Sequence, residues 1–292
     1  MKLKVYILKK KHIILTLSIA FILILSLILL ISFKSKETIK NVNPVQTVHA
    51  DVDGDKKLDT LYISTNKDNN YTVNVQTKKG DGFNLEPDPL LKTLGYNDKS
   101  WPMSIECKDI NNDNAQEIII QSSDKSESII HVYTYSKQNK EFIRLISGKY
   151  NVFASAIHNG TPIIMLGKKL KTDIDFSYYT LNNDTLSTYN LDYISLGKNT
   201  LNSLASFISE DNIEVISSDS NLLTNLEKGE LLDALLLNVK YKNNIPSECT
   251  YQIRTMPYGE NSKINLYEVK MNSVSYKDNN IQYKIKNIKS LN

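Results

Sequence analysis

Histidine, cysteine and tryptophan are scarce in this sequence: four, two and one in 292 residues. Cys107 and Cys249 stand too far apart for the short ligand spacings of a zinc site. His12, His49, His131 and His158 never fall in an HExxH pattern, and no GxSxG, Walker A or GxGxxG stretch occurs. The nearest thing to a paired acid is Glu86 with Asp88 in "LEPDP". Two carboxylates so close together in a proline-containing turn read as a loop, not as a glycoside-hydrolase pair. The expectation from these absences is a protein that is not an enzyme.

A basic body for nucleic acid is missing too. The formal net charge is +3, but residues 1–40 hold eight lysines against Glu37 alone, so the rest of the chain carries a net charge of −4. A mildly acidic body does not suit a phosphate backbone, and no nucleic-acid partner is expected.

Charge is wholly absent from one long stretch. Ile13 to Phe33, "IILTLSIAFILILSLILLISF", is long enough to cross a bilayer as a helix of roughly 30 Å. No small-x-small cleavage site follows it, and "SFKSKETIK" lacks a lipoprotein cysteine. A retained signal-anchor is therefore expected in preference to a cleaved signal peptide. Five lysines precede the span and three follow it, which places residues 1–12 as a cytoplasmic tail. Residues 34–46 read as a polar linker, and residues 47–292 as a domain outside the cell membrane. Such a compartment permits a disulfide between Cys107 and Cys249, although two buried thiols is the simpler reading.

What the sequence does have is tyrosine, isoleucine, valine and threonine in alternating runs. "YTVNVQT" (71–77) sets Tyr71, Val73 and Val75 against Thr72, Asn74 and Gln76, the pattern of a half-buried strand. "SIIHVYTYS" (128–136) and "KEFIRLIS" (140–147) follow polar turns, and "TYQIRT", "KINLYEVKM", "SVSYK" and "IQYKIKNI" close the chain as further strands. Short helices are expected around 196–208 and 222–232. Trp101, beside Pro102, is either core or a platform for a glycan or peptide, and Tyr178, Tyr179 and Tyr189 carry the same choice.

The strand runs are punctuated by acid. "DVDGDKKLD" places Asp51, Asp53, Asp55 and Asp59 at relative positions 1, 3, 5 and 9, and "DINNDNAQE" places Asp109, Asn111, Asp113 and Glu117 at the same positions, 58 residues on. An apolar strand run follows each. A recurrence at fixed period marks a repeat architecture. Two weaker copies are expected, one with a junction at 156–169 leading into a hairpin at 176–192, the other at 230–244 with Asp233 ahead of its apolar run. Side chains at positions 1, 3, 5 and 9, with the carbonyl of position 7 (Lys57, Ala115), supply the oxygen set that calcium takes. Position 4 is Gly54 or Asn112, residues that tolerate a positive φ. An EF-hand is excluded, since its position 12 would be Tyr62 or Ile120 and the context is strand.

The two loops resemble the FG-GAP/VCBS type of repeat, in which a D-x-[DN]-x-D-x-x-x-[DE] loop leads directly into a strand. The resemblance covers residues 47–150. It departs from the family at position 6, where Lys56 and Asn114 replace the usual glycine, and the FG-GAP dipeptides are absent. It implies an all-β, propeller-like array of about four antiparallel blades. It implies up to two structural Ca2+ sites, with ligands Asp51, Asp53, Asp55, Lys57 and Asp59, then Asp109, Asn111, Asp113, Ala115 and Glu117. The expected role is binding or adhesion at the cell surface, toward another surface protein or a cell-wall glycan. An accessory or regulatory subunit of a membrane or wall complex is the alternative, and a wall-active hydrolase a more distant one.

Overall fold

The computed structural model describes residues 40–41, 46–170, 173–182, 184–190, 196–209, 226, 229–259, 263–277 and 280–291. The span expected over 13–33 lies outside them, as do the basic tail and most of the linker. Among the described residues no helix is long and apolar enough to cross a membrane. Everything below concerns the compact unit Ile39–Asn292.

The chain is mostly β, as the alternating runs imply, and it proceeds as four successive meanders. The first comprises β2(Gln46–Ala50), β3(Asp59–Thr65), β4(Tyr71–Gln76) and β5(Gly82–Asn84), after the two-residue β1(Lys40–Asn41). The second comprises β6(Ser104–Lys108), β7(Glu117–Ser123), β8(Ser128–Ser136) and β9(Glu141–Gly148), with β1 added beside β6. The third is β10(Val152–His158), β11(Thr161–Lys169), β12(Ile174–Asn182) and β13(Thr185–Thr188). A helix, α1(Lys198–Ser209), precedes the fourth: β14(Gly229–Lys242), β15(Ile245–Pro257), β16(Asn265–Lys277) and β17(Asn280–Ser290).

Burial explains the stacking of the first three meanders. β4 alternates as expected, with Tyr71, Val73 and Val75 inward. β7 is buried along its whole length, because it is covered on both faces. Ile118 and Ile120 point into a core shared with Leu61, Ile63 and Val73 of the first sheet. Ile119, one residue out of phase, points the other way, into a core with Phe153, Ile164 and Leu166 of the third meander. A continuous apolar run thus becomes a two-faced strand, since successive side chains alternate between faces.

Four separate blades are not what the sheets form. The third and fourth meanders share one eight-stranded sheet, joined where β10 runs parallel to β14 through Val152–Ala234 and Phe153–Leu235. Among the described strands, no pairing joins the fourth meander to the first. The fourth also differs in build. Its strands run to 14 residues, and Leu201, Leu204, Ala205 and Ile208 of α1 pack on them with Tyr251, Val269, Met271 and Ile285. The stretches "KINLYEVKM" and "SVSYK" form one strand, β16, whose pairing with β17 shifts register between Ser273 and Ser275. A helix expected over 222–232 is strand from Gly229 onward, and residues 222–225 and 227–228 lie outside the description.

Asp233 is not a loop acid but a buried residue inside β14. Its Oδ2 accepts from Arg254 Nη1 at 2.7 Å and from Trp101 Nε1 at 2.9 Å. Arg254 Nη2 donates in turn to the Pro102 carbonyl at 3.0 Å and to Ser104 Oγ. Trp101 is therefore core, and its indole N–H ties the segment before β6 to the fourth meander. Both ionic side chains are at most 2 % exposed, so each offsets the other's cost of leaving water. Asp233→Ala should cost about 3–5 kcal/mol by leaving the guanidinium unpaired, read as a fall in the denaturant midpoint of unfolding.

His131, in the middle of β8, is buried with Nδ1 2.8 Å from Ser147 Oγ. Burial, helped by the nearby Arg144 charge, pushes its pKa down to about 4 from the ordinary 6.5. The unfolded imidazole takes a proton as pH falls through 6.5, and the folded one does not until near 4. This one group should therefore take roughly 3 kcal/mol from stability over that window. Unfolding titrations at pH 7.5, 5.5 and 4.5 should show the wild type losing about this much stability relative to His131→Gln, because the opposite titration of Glu117 is common to both chains.

Candidate metal centre

Each acidic loop joins the first strand of a meander to the second: 51–58 links β2 to β3, and 109–116 links β6 to β7. Position 9 is the first residue of the outgoing strand in both, Asp59 of β3 and Glu117 of β7, and both side chains are fully buried. That carboxylate turns back over the loop. Asp59 Oδ2 accepts from the amides of Val52 at 3.0 Å and Asp53 at 3.3 Å, while Oδ1 accepts from Lys78 N at 2.8 Å. Glu117 Oε2 accepts from Ile110 N at 2.7 Å and Oε1 from Thr134 Oγ1 at 3.0 Å.

The agreement extends through the loop, position by position. Position 1 accepts from the amides of positions 5 and 6: Asp51 from Asp55 and Lys56, Asp109 from Asp113 and Asn114. Position 3 accepts from position 5: Asp53 from Asp55 N, Asn111 from Asp113 N. Position 5 accepts from position 7: Asp55 from Lys57 N, Asp113 from Ala115 N. Positive φ recurs at position 4, +72° at Gly54 and +63° at Asn112, and again at position 6, +67° at Lys56 and +70° at Asn114. The backbone accepts non-glycine residues in the left-handed region at position 6 in both copies, where a glycine would carry no strain.

In the first loop the structure gathers Asp51, Asp53 and Asp59, whose nearest oxygens lie within 4.8 Å of one another. Asp55 stands at the side of this group and shares a neighbour with it: Lys79 Nζ is 3.0 Å from Asp53 Oδ2 and 3.3 Å from Asp55 Oδ2. Among the described residues this is the one set of three or more acidic, histidine or cysteine side chains that converges so. The second loop, with Asp109, Asn111, Asp113 and Glu117, keeps the hydrogen-bond scaffold, but its three acids are not gathered so closely. Lys57 and Ala115 enter the scaffold through their amides. An all-oxygen set without imidazole or thiolate suits a hard cation of the calcium kind. Cys107 and Cys249 are both free, and burial raises each thiol to about 12.

The electrostatics record the crowding. Burial raises the Asp51 carboxyl, with backbone amides pulling against it and Asp53 adding to it. Asp55 is held below its ordinary value: burial opposes this, and the Lys57 amide and the Lys79 ammonium outweigh it. Burial pushes Glu117 up to about 7 despite its two donors, and Asp113 and Asp109 push the same way.

Residues that the sequence reading passed over complete the arrangement. Gln116, at position 8 of the second loop, stitches the loops together. Its amide donates to the Asp51 carbonyl at 2.9 Å, and its Oε1 accepts from Asp51 N at 3.2 Å. Lys137 Nζ donates to the Asp113 carbonyl at 3.2 Å. A signal for the two lysines was present: Lys79 and Lys137 each stand 28 residues after position 1 of their own loop.

No protein-family model matches this chain, and no curated protein matches it.

Asp59→Ala would strand the buried amides of Val52 and Asp53 and free that of Lys78. The loss should be about 2–4 kcal/mol, since an unmet buried donor costs about 1–3 kcal/mol. Chemical unfolding in chelator measures it free of any bound cation.

Proposed function

We propose that this chain is a membrane-anchored surface binding module in which calcium stiffens blade-like β repeats of the FG-GAP/VCBS type. One observation carries the reading. A nine-residue oxygen-rich loop occurs twice with the same donor–acceptor scaffold, each time at the start of a second strand, and one copy brings three carboxylates within 4.8 Å. Like charges at that spacing repel by about 3 kcal/mol per pair at an effective dielectric near 20. A divalent cation among them turns the repulsion into attraction. Asp51, Asp53, Asp55 and Asp59 would hold it with the Lys57 carbonyl; Asp109, Asn111, Asp113 and Glu117 would do so with the Ala115 carbonyl. Sites of this kind outside cells bind calcium at about 10⁻⁴–10⁻³ M, which suits a structural role.

The face-to-face packing of the first three meanders supports a propeller-like array, with the fourth meander as a divergent blade merged into the third. A cleft of about 630 Å³ opens beside the second loop, lined by Asn111, Asp113, Tyr135, Asn182 and Asp184 among others. Amides, carboxylates and an aromatic ring are the groups that recognise sugar hydroxyls, so a cell-wall glycan is the ligand class this cleft would take.

Melting the detergent-solubilised full chain with calcium and with chelator tests the ion. Saturating calcium should raise the melting temperature by roughly 5–10 °C, and the double variant Asp53→Ala, Asp113→Ala should lose that rise. A wild-type melting temperature that ignores calcium would falsify the calcium reading.

A further inference from the structure

The carboxylates of the two loops already have company. Lys79 lies in the turn between the third and fourth strands of the first meander, and Lys137 in the corresponding turn of the second. Both reach back to the acidic loop of their own repeat. Lys79 Nζ bridges Asp53 Oδ2 at 3.0 Å and Asp55 Oδ2 at 3.3 Å. Lys137 Nζ is 3.2 Å from the Asp113 carbonyl and 4.0 Å from Asp113 Oδ2. It also passes the first loop, since a methyl group at Gly54 would meet its Nζ at 3.0 Å. One such contact would be an ordinary surface ion pair. Two, at the same offset in two copies of one repeat, form part of the repeat.

We infer that Lys79 and Lys137 are tethered counter-cations of the acidic loops, and that a divalent cation must displace them to bind the oxygens they occupy. The inference rests on the calcium reading above for its second half and on the ion-pair geometry for its first. The Asp53 side chain is only 2 % exposed, so the ammonium replaces water on Oδ2, whereas Oδ1 has the Asp55 amide. Without a metal, Lys79 keeps that carboxylate tolerable in the fold. With a metal, the same oxygen is wanted twice. Four carboxylates against Lys79 and the loop's own exposed Lys56 and Lys57 leave the first loop a formal −1, still of the sign that attracts a divalent cation. Lys79 lowers the affinity rather than abolishing it. The lysine arm is half exposed and free to swing into solvent once released. Such a loop holds its shape where calcium is scarce and takes the ion only where calcium is plentiful.

Calcium titration of the detergent-solubilised full chain by calorimetry, with melting in chelator alongside, tests this on wild type, Lys79→Met and Lys79→Arg. Lys79→Met should bind calcium about fivefold tighter or more and melt lower than wild type in chelator, while Lys79→Arg follows wild type in both. If wild type binds calcium and Lys79→Met binds no tighter, displacement is wrong and the calcium reading stands. If no chain binds calcium, the calcium reading falls. A lower melting temperature of Lys79→Met in chelator then upholds the counter-cation, and an unchanged one overturns it.

Discussion

A carboxylate taken out of water must meet donors or positive charge, and this constraint organises the whole domain. Three of the buried acids, two at strand starts and Asp233 inside β14, are each met differently. Asp59 is met by backbone amides of its own loop and of the turn between β4 and β5. Glu117 is met by one amide and one hydroxyl, and burial lifts it to about 7. Asp233 is met by a guanidinium and an indole from elsewhere in the chain. The first two close the acidic loops onto the strands that leave them. The third joins the segment before the second meander to the fourth.

The loops matter because of where they sit. Both span the first and second strands of a meander, and Gln116 bonds one to the other. The strands that leave them, β3 and β7, contribute Leu61, Ile63, Ile118 and Ile120 to one shared core. Stiffening a loop therefore acts on the packing of two sheets. A cation bound there, as proposed, would act on the packing of two sheets and not on any reaction.

Much of the strand pattern was legible. Polar–apolar alternation located β4, and the run "SIIHVYTYS" coincides with β8. The helix expected near 196–208 is α1 at Lys198–Ser209. The acidic positions were legible as a repeat because the side chains at 1, 3, 5 and 9 answer to amides only a few residues away. The merging of the last two meanders was not legible, since it depends on two residue pairs between β10 and β14, about eighty residues apart. Asp233 was misplaced for the same reason: its partners Arg254 and Trp101 come from other parts of the chain.

By itself the sequence determined the local devices: the strand periods, the paired oxygen-rich loops and their spacing of 58 residues. These are short-range, because an amide within a few residues either fits an acceptor or does not. Tertiary structure alone decided which partners meet Asp233 and which meanders share a sheet. Those outcomes turn on side chains brought together from distant positions, and hydrophobic burial, which drives that approach, carries no address in the sequence.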